Sequence, residues 1–156
     1  MRNKEKGFSL IELLIVVAII LIIAAIAIPN LLRSKMAANE SSAVGSLRTM
    51  NTASVSYSTT YGGYPPALTN LGPATPATST SADLIDSVLA TGTKSGYTFA
   101  YTAVTSDANG NILSYTITGA PLTLGTTGQR GFFTDQSGVI RGDPTGTATV
   151  TSTPIS

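Results

Sequence analysis

The chain has 156 residues, a formal net charge of +1, only 11% charged residues, and no Cys, His or Trp. That length suits one domain plus an appendage. Without Cys there is no disulfide, no lipid-anchored N-terminal cysteine and no thiolate metal site. Without His the usual zinc ligands and the usual triad base are missing, which weighs against an enzyme but leaves room for one built on carboxylates. Near-zero net charge gives no basic footprint for nucleic acid, so no nucleic-acid partner is expected.

Met1 to Gly7 (MRNKEKG) is polar and basic, with Arg2, Lys4 and Lys6. Phe8 to Leu32 is apolar apart from Ser9, Glu12, Pro29 and Asn30, and the run Leu13 to Ile28 has no polar side chain. This zone has about the length of the ~20-residue helix a bilayer demands. The basic flank predicts a cytoplasmic N-terminus, a bias weakened but not reversed by Arg33 and Lys35 on the far side. Pro29 removes one helical hydrogen bond and predicts a kink where the apolar run ends.

From Arg33 to Tyr61 the residues are Ala, Ser and Met rich, and Gly45 is the only Gly or Pro. Leu32, Met36, Val44, Leu47, Met50 and Tyr61, with Ala43 and Ser54 between, recur at three- and four-residue steps. The helix is therefore expected to continue to Tyr61, where Gly62-Gly63 and Pro65-Pro66 stop it. From Phe8 to Tyr61 this makes ~80 Å of helix, about half of it expected to project beyond any globule the remaining chain forms.

Beyond Tyr61 helix formers give way to Gly, Pro and Thr, the mark of a helix-to-sheet boundary. Pro65 to Thr80 reads as a loop. Ser81 to Gly92 reads as a short helix, with Ser81 as its cap, Asp83 and Asp86 near its positive end, and Leu84, Ile85, Val88 and Leu89 as its buried face. Tyr97 to Thr105 and Ile112 to Thr118 read as strands of a hairpin turned by Asn109-Gly110, a type I′ signal. Gly131 to Thr134 and Val139 to Arg141 form a second hairpin around Asp135-Gln136-Ser137-Gly138. The tail, Asp143 to Ser156, has little to bury and is expected to be loose or an edge strand.

The other candidate sites are weak. Asp107-Ala108-Asn109-Gly110-Asn111 superficially resembles a calcium loop, but its glycine comes too early and no bidentate Glu follows. Asp135 and Asp143 form no cluster with it, so no metal and no catalytic residue is assigned. The six tyrosines fit sheet and helix packing better than an electron path. The abundant Thr fits β-propensity without glycosylation.

The N-terminus admits three readings. A secretory signal fits the basic start and Ala25-Ile26-Ala27 as a cleavage site, but places Glu12 at the start of the hydrophobic region and cuts the long helix at Ile28. An ordinary single-span anchor makes Glu12 a cost, ~2.5–3.5 kcal/mol at a helix centre and less near an interface. The third reading rests on Lys6-Gly7-Phe8-Ser9-Leu10-Ile11-Glu12-Leu13, followed by an apolar helix and Pro29. This stretch closely resembles the N-terminus of type IV pilins and type II secretion pseudopilins. The likeness is strong over residues 4 to about 33, and the rest is similar in layout.

The resemblance implies an α+β pilin fold, in which the long helix (about 8–61) packs by its second half on a small antiparallel sheet. It implies a leader at 1–7, a transmembrane or filament-core helix at 8–32 and a periplasmic or extracellular head at 33–156. It implies cleavage between Gly7 and Phe8 by a prepilin peptidase and N-methylation of Phe8. Glu12 would then be the fifth residue of the mature chain, close to a new amine. Amine and carboxylate each cost much to bury alone and attract strongly where little water screens them. An incoming subunit's amine meeting the Glu12 of an assembled subunit would fix one axial register.

The expected function is a structural one, without cofactor. The subunit waits in the inner membrane and is built into a helical filament of its own copies by separate pilus or secretion machinery, since the chain has no phosphate-binding loop. Cleavage takes the side-chain charge from +1 to −1 and removes the basic flank. A pseudopilin of a type II secretion system is the alternative within the family. A membrane-anchored or secreted binding module is the alternative outside it.

Overall fold

The computed structural model describes residues 7–155. The expected leader therefore lies outside the described residues except for Gly7. The chain divides into two compact units, Met1–Lys35 and Met36–Ser156. Helix α1, Leu10–Tyr61, contributes to both.

In the first unit α1 is apolar on every face and none of the side chains described is buried. Every large apolar residue from Leu10 to Leu32 is at least 44% exposed. A helix hydrophobic all round has no solvated face and belongs in lipid or inside a bundle. It starts at Leu10, two residues later than expected, because Ser9 takes the capping position.

The second unit joins the rest of α1 to a six-stranded antiparallel sheet, an α+β, pilin-like fold. Its strands are β1 Thr93–Lys94, β2 Tyr97–Ser106, β3 Ile112–Pro121, β4 Gly131–Asp135, β5 Arg141–Asp143 and β6 Thr153–Pro154, and each pairs with its neighbour in sequence. Ala43, Leu47, Met50, Ala53, Ser54 and Tyr57 recur at helical spacing and are buried. The expected stripe is confirmed at Ala43, Leu47, Met50 and Ser54, while Leu32 is exposed and Val44 partly buried. This face shares one core with Tyr97, Phe99, Tyr115, Ile117, Phe132 and Ile140. Gly119 faces Phe99 across the β2–β3 ladder, and a Cβ there would stand 3.1 Å from its ring. The tyrosines pack as expected, with Tyr101 stacked on Tyr115 at 5.3 Å and Tyr64 edge-on to Tyr115 at 4.8 Å.

The connecting segment departs from its pattern. A 3-10 turn, Leu68–Leu71, forms inside the expected loop and buries both leucines. The expected helix over Ser81–Gly92 shrinks to the single turn α2, Ser87–Ala90. Asp86, not Ser81, caps it, accepting from the Leu89 N–H at 2.7 Å. Ser81 instead donates to the Gly72 and Pro73 carbonyls, and the N–H groups of Ala82 to Ile85 donate to the carbonyls of Asn70, Leu71 and Gly72, which lays this stretch along the 3-10 turn. Ile85 and Leu89 are buried, but Leu84 and Val88 are exposed, because one turn presents a narrower face than three.

The first hairpin is present, but not with a two-residue turn. Five residues, Asp107–Asn111, separate the paired ends Ser106 and Ile112. Gly110 has positive φ and Asn109 does not, which rules out type I′. The Asp107 carboxylate accepts from the Asn109 N–H, the Asn111 N–H and Asn111 Nδ2 at 2.8–2.9 Å, fastening the wider loop. The second hairpin turns as expected at Asp135–Gly138, although β5 starts only at Arg141. The tail buries more than its composition suggested. Ala148 and Ser152 are buried, and Ile155 N–H donates to Ile140 O at 2.8 Å. Residues 147–150 line a groove with Phe133, on the face of β4 opposite Phe132.

Candidate functional site

The segment singled out by its sequence is a helix N-terminus. Gly7 and Phe8 lie outside the helix, and Phe8 is 82% exposed. Nothing stands within 4 Å of a Cβ built on Gly7. Fold packing therefore does not demand glycine there. Ser9 is the capping residue, its carbonyl accepting from Leu13 N–H at 3.2 Å. Glu12, three residues on, reaches back so that its Oε2 accepts from the Ser9 N–H at 2.9 Å. This is the returning half of a capping box, and it satisfies one of the donors every helix start leaves unpaired. The negative charge also lies at the positive end of the helix dipole. Sequence reading missed this contact, although Ser9-Leu10-Ile11-Glu12 carries the S-x-x-E signature.

Pro29 lies inside α1, which stays helical through it. Lacking an N–H, it leaves the Ala25 carbonyl without its helical donor. Beside it, Asn30 Nδ2 donates to Ile26 O at 3.1 Å and Ser34 Oγ to Asn30 O at 3.0 Å. The side chains thus add polar partners where the apolar run gives way.

In the second unit, four residues of α1 tie the helix to the sheet through polar contacts that sequence reading also missed. Asn39 Nδ2 donates to Thr127 O at 2.7 Å, and Ser42 Oγ to Ser95 Oγ at 2.9 Å. Glu40 accepts from the Gln129 and Arg130 N–H groups and from Arg130 Nε, all at 2.8–3.0 Å. Burial alone would raise the Glu40 pKa, but these donors outweigh it and hold the carboxyl below its ordinary value. Deeper in, Asn51 Nδ2 donates to Thr134 Oγ1 at 2.9 Å, and Asn51 Oδ1 accepts from Tyr115 OH at 3.1 Å. Partners this far away in sequence carry no local signal.

The aspartates weighed as cation ligands have other work. Asp107 fastens the hairpin loop, Asp135 accepts from Ser137 N–H, and Asp143 from the N–H and hydroxyl of Thr145. Among the described residues no three His, Cys, Asp or Glu side chains gather into a possible metal site.

The arrangement defines a class: an α+β head of pilin-like fold whose long helix continues into an apolar segment able to span a membrane. Comparisons with known proteins sharpen it. Residues 2–28 match the family model of the prokaryotic N-terminal methylation motif. The chain is 65% identical over 40 residues to the type IV wide pilus major component PilA4 of Thermus thermophilus, a stretch covering 26% of this chain and 30% of that protein. It is 48% identical over 54 residues to the type IV major pilin protein PilA of Myxococcus xanthus, covering 35% of this chain and 24% of that one. The matches thus span less than a third of either relative's length. The N-terminal segment of this chain is thus similar to that of type IV pilins.

Proposed function

We propose that the chain is a pilin, a structural subunit made as an inner-membrane precursor with its N-terminus in the cytoplasm. A prepilin peptidase cuts between Gly7 and Phe8, the new Phe8 amine is methylated, and pilus machinery polymerises the product through its N-terminal helix into a filament of identical copies. The observation that carries this reading is Gly7-Phe8-Ser9 leading into an all-round apolar helix with a single carboxylate in its first turn. Such a helix needs an apolar surrounding throughout, first the bilayer and then the helices of other subunits.

In this reading Glu12 has two tasks. Its Oε2 holds the Ser9 N–H of its own helix. Its other oxygen has no hydrogen-bond partner among the described residues and is free to accept from the Phe8 amine of an incoming subunit. In low dielectric that pairing compensates both charges at one axial register, and slippage leaves both unpaired. No catalytic role and no cofactor are part of this proposal. The test is intact mass and N-terminal sequencing of the exported chain. A start at N-methylated Phe8 supports the reading. A start at Ile28 refutes it in favour of an ordinary secretory signal.

A further inference from the structure

The loop between β3 and β4 carries two leucines that the fold leaves half-exposed, Leu124 resting with one side on Gly146. Leu122 is 57% exposed and Leu124 52%, on a stretch, Pro121 to Gln129, without a charged residue. The loop is not slack. Leu122 N–H donates to Gly96 O at 2.9 Å, Gly125 N–H to Gly128 O at 2.9 Å, and Thr127 N–H to Thr123 O at 2.9 Å. Its far end is held on α1 by Asn39 and Glu40. The leucines therefore sit on a fixed tip at the end of the head where the chain enters it.

Two facts say what such a tip meets. Asn39 comes seven residues after Leu32, the last residue of the apolar zone. That tether is ~10 Å as helix and ~25 Å fully extended, so Asn39 lies within that distance of a bilayer holding the apolar segment. The charges at this end also suit an anionic lipid surface. Arg33 and Lys35 precede it with no acid before Glu40. Glu40 is paired with Arg130, Asp86 with Lys94, and Asp143 is hydrogen-bonded to Thr145. The geometry points to a lipid contact: before assembly, Leu122 and Leu124 enter the headgroup region of the bilayer that holds the apolar helix. This inference rests on the reading that Leu10 to Leu32 is membrane-embedded. The tip acts as a second foot that limits how the head swings while the subunit waits. Shallow insertion of a few apolar side chains beside basic groups is the usual physics of interfacial binding.

The chain has no cysteine, so one introduced cysteine labels one site. The full chain with Thr123→Cys carries a polarity-sensitive dye between the two leucines and is reconstituted in vesicles of neutral and anionic phospholipid. Ala77→Cys is the aqueous reference, on the loop held by the Tyr57 hydroxyl through Ser79 O, ~27 Å further along α1 from Asn39. Lipids spin-labelled near the headgroup are expected to quench the Thr123→Cys dye at least about two-fold more than the reference. Leu122→Asn with Leu124→Asn should abolish the difference. Equal quenching at the two sites overturns the proposal. So does an excess that disappears on tenfold dilution of protein in lipid, which would mean that a second copy covers the tip. A dye at Ile20→Cys, read with deep spin labels, tests membrane embedding separately. Its failure would remove the embedding itself, whereas its success with an unquenched tip would remove only this inference.

Discussion

Asn51 should be worth more to the head than any exposed residue of α1. It is buried, donates to Thr134 Oγ1 at 2.9 Å and accepts from Tyr115 OH at 3.1 Å. In Asn51→Leu the branched shape and heavy-atom count are kept while two hydroxyls lose their partner. Tyr115 is 1% exposed and Thr134 is fully buried, so water does not readily replace it. An orphaned buried hydroxyl costs about 1–3 kcal/mol, which makes roughly 2–6 kcal/mol for the pair. Against a total of about 5–15 kcal/mol for a domain, that is a large share. At roughly 4 °C per kcal/mol for this size, Tm should fall by about 8–24 °C. The assay is urea and thermal unfolding of a fragment covering 36–156, which has its own core. The triple variant Asn51→Leu, Thr134→Val, Tyr115→Phe removes all three polar groups and should recover much of the loss. A loss under about 1 kcal/mol for Asn51→Leu, or a triple variant no more stable than the single, would refute the argument.

Leu47 is fully buried, so Leu47→Asp should unfold the same fragment through an unpaired buried charge costing several kcal/mol; a melt unchanged from the parent would mean the buried helix face is wrong. Glu12→Gln keeps an oxygen for the Ser9 N–H, whereas Glu12→Ala removes cap and charge together. If charge pairing governs assembly, both variants should be processed but depleted in sheared filaments relative to the membrane pool; normal incorporation of Glu12→Gln would show that the charge is not required. Glu40 is held below its ordinary pKa, so its contribution is present above the unfolded value near 4.5 and lost as pH falls through the lower folded value. Glu40→Gln should lower stability at neutral pH and flatten the acid loss in that window, as read by urea midpoints against pH; parallel curves for parent and variant would exclude this linkage.

What could be read from the sequence followed the range of the forces involved. The long helix and its buried stripe through Ala43, Leu47 and Met50 were legible because helical periodicity repeats over many turns. The β2–β3 hairpin was legible for the same reason, from alternation. Its turn was misread because Asn109-Gly110 is a two-residue signal, and Asp107 wins by accepting three hydrogen bonds at once. The helix expected over Ser81–Gly92 failed because the N–H groups of Ala82 to Ile85 donate to the carbonyls of Asn70, Leu71 and Gly72 instead of building a helical turn, a long-range choice with no local signal. Tail burial was invisible because it falls on Ala148 and Ser152, small residues among exposed threonines that carry no strong apolar signal. At the N-terminus the residues of the candidate site were legible, but the Ser9–Glu12 contact was overlooked beside the more conspicuous charge.

The polar ties between α1 and the sheet also set an order of events in time. Asn39 waits for Thr127, Glu40 for Arg130 and Asn51 for Thr134, partners 83 to 90 positions further along the chain. A chain delivered from its N-terminus presents the helix long before the strands that cover it exist. Its stripe stays partly uncovered until β2, β3 and β4 have all arrived, and contacts across so long a loop cost closure entropy before they reward it. The interleaving of Ser46, Asn51 and Ser54 among Leu47 and Met50 suits that interval, because a stripe diluted with small polar groups is a poorer target for premature association than an unbroken apolar one. The meander then adds each strand beside the one just made, so the last residues to arrive, through β6 and Ile155, close the sheet at Ile140.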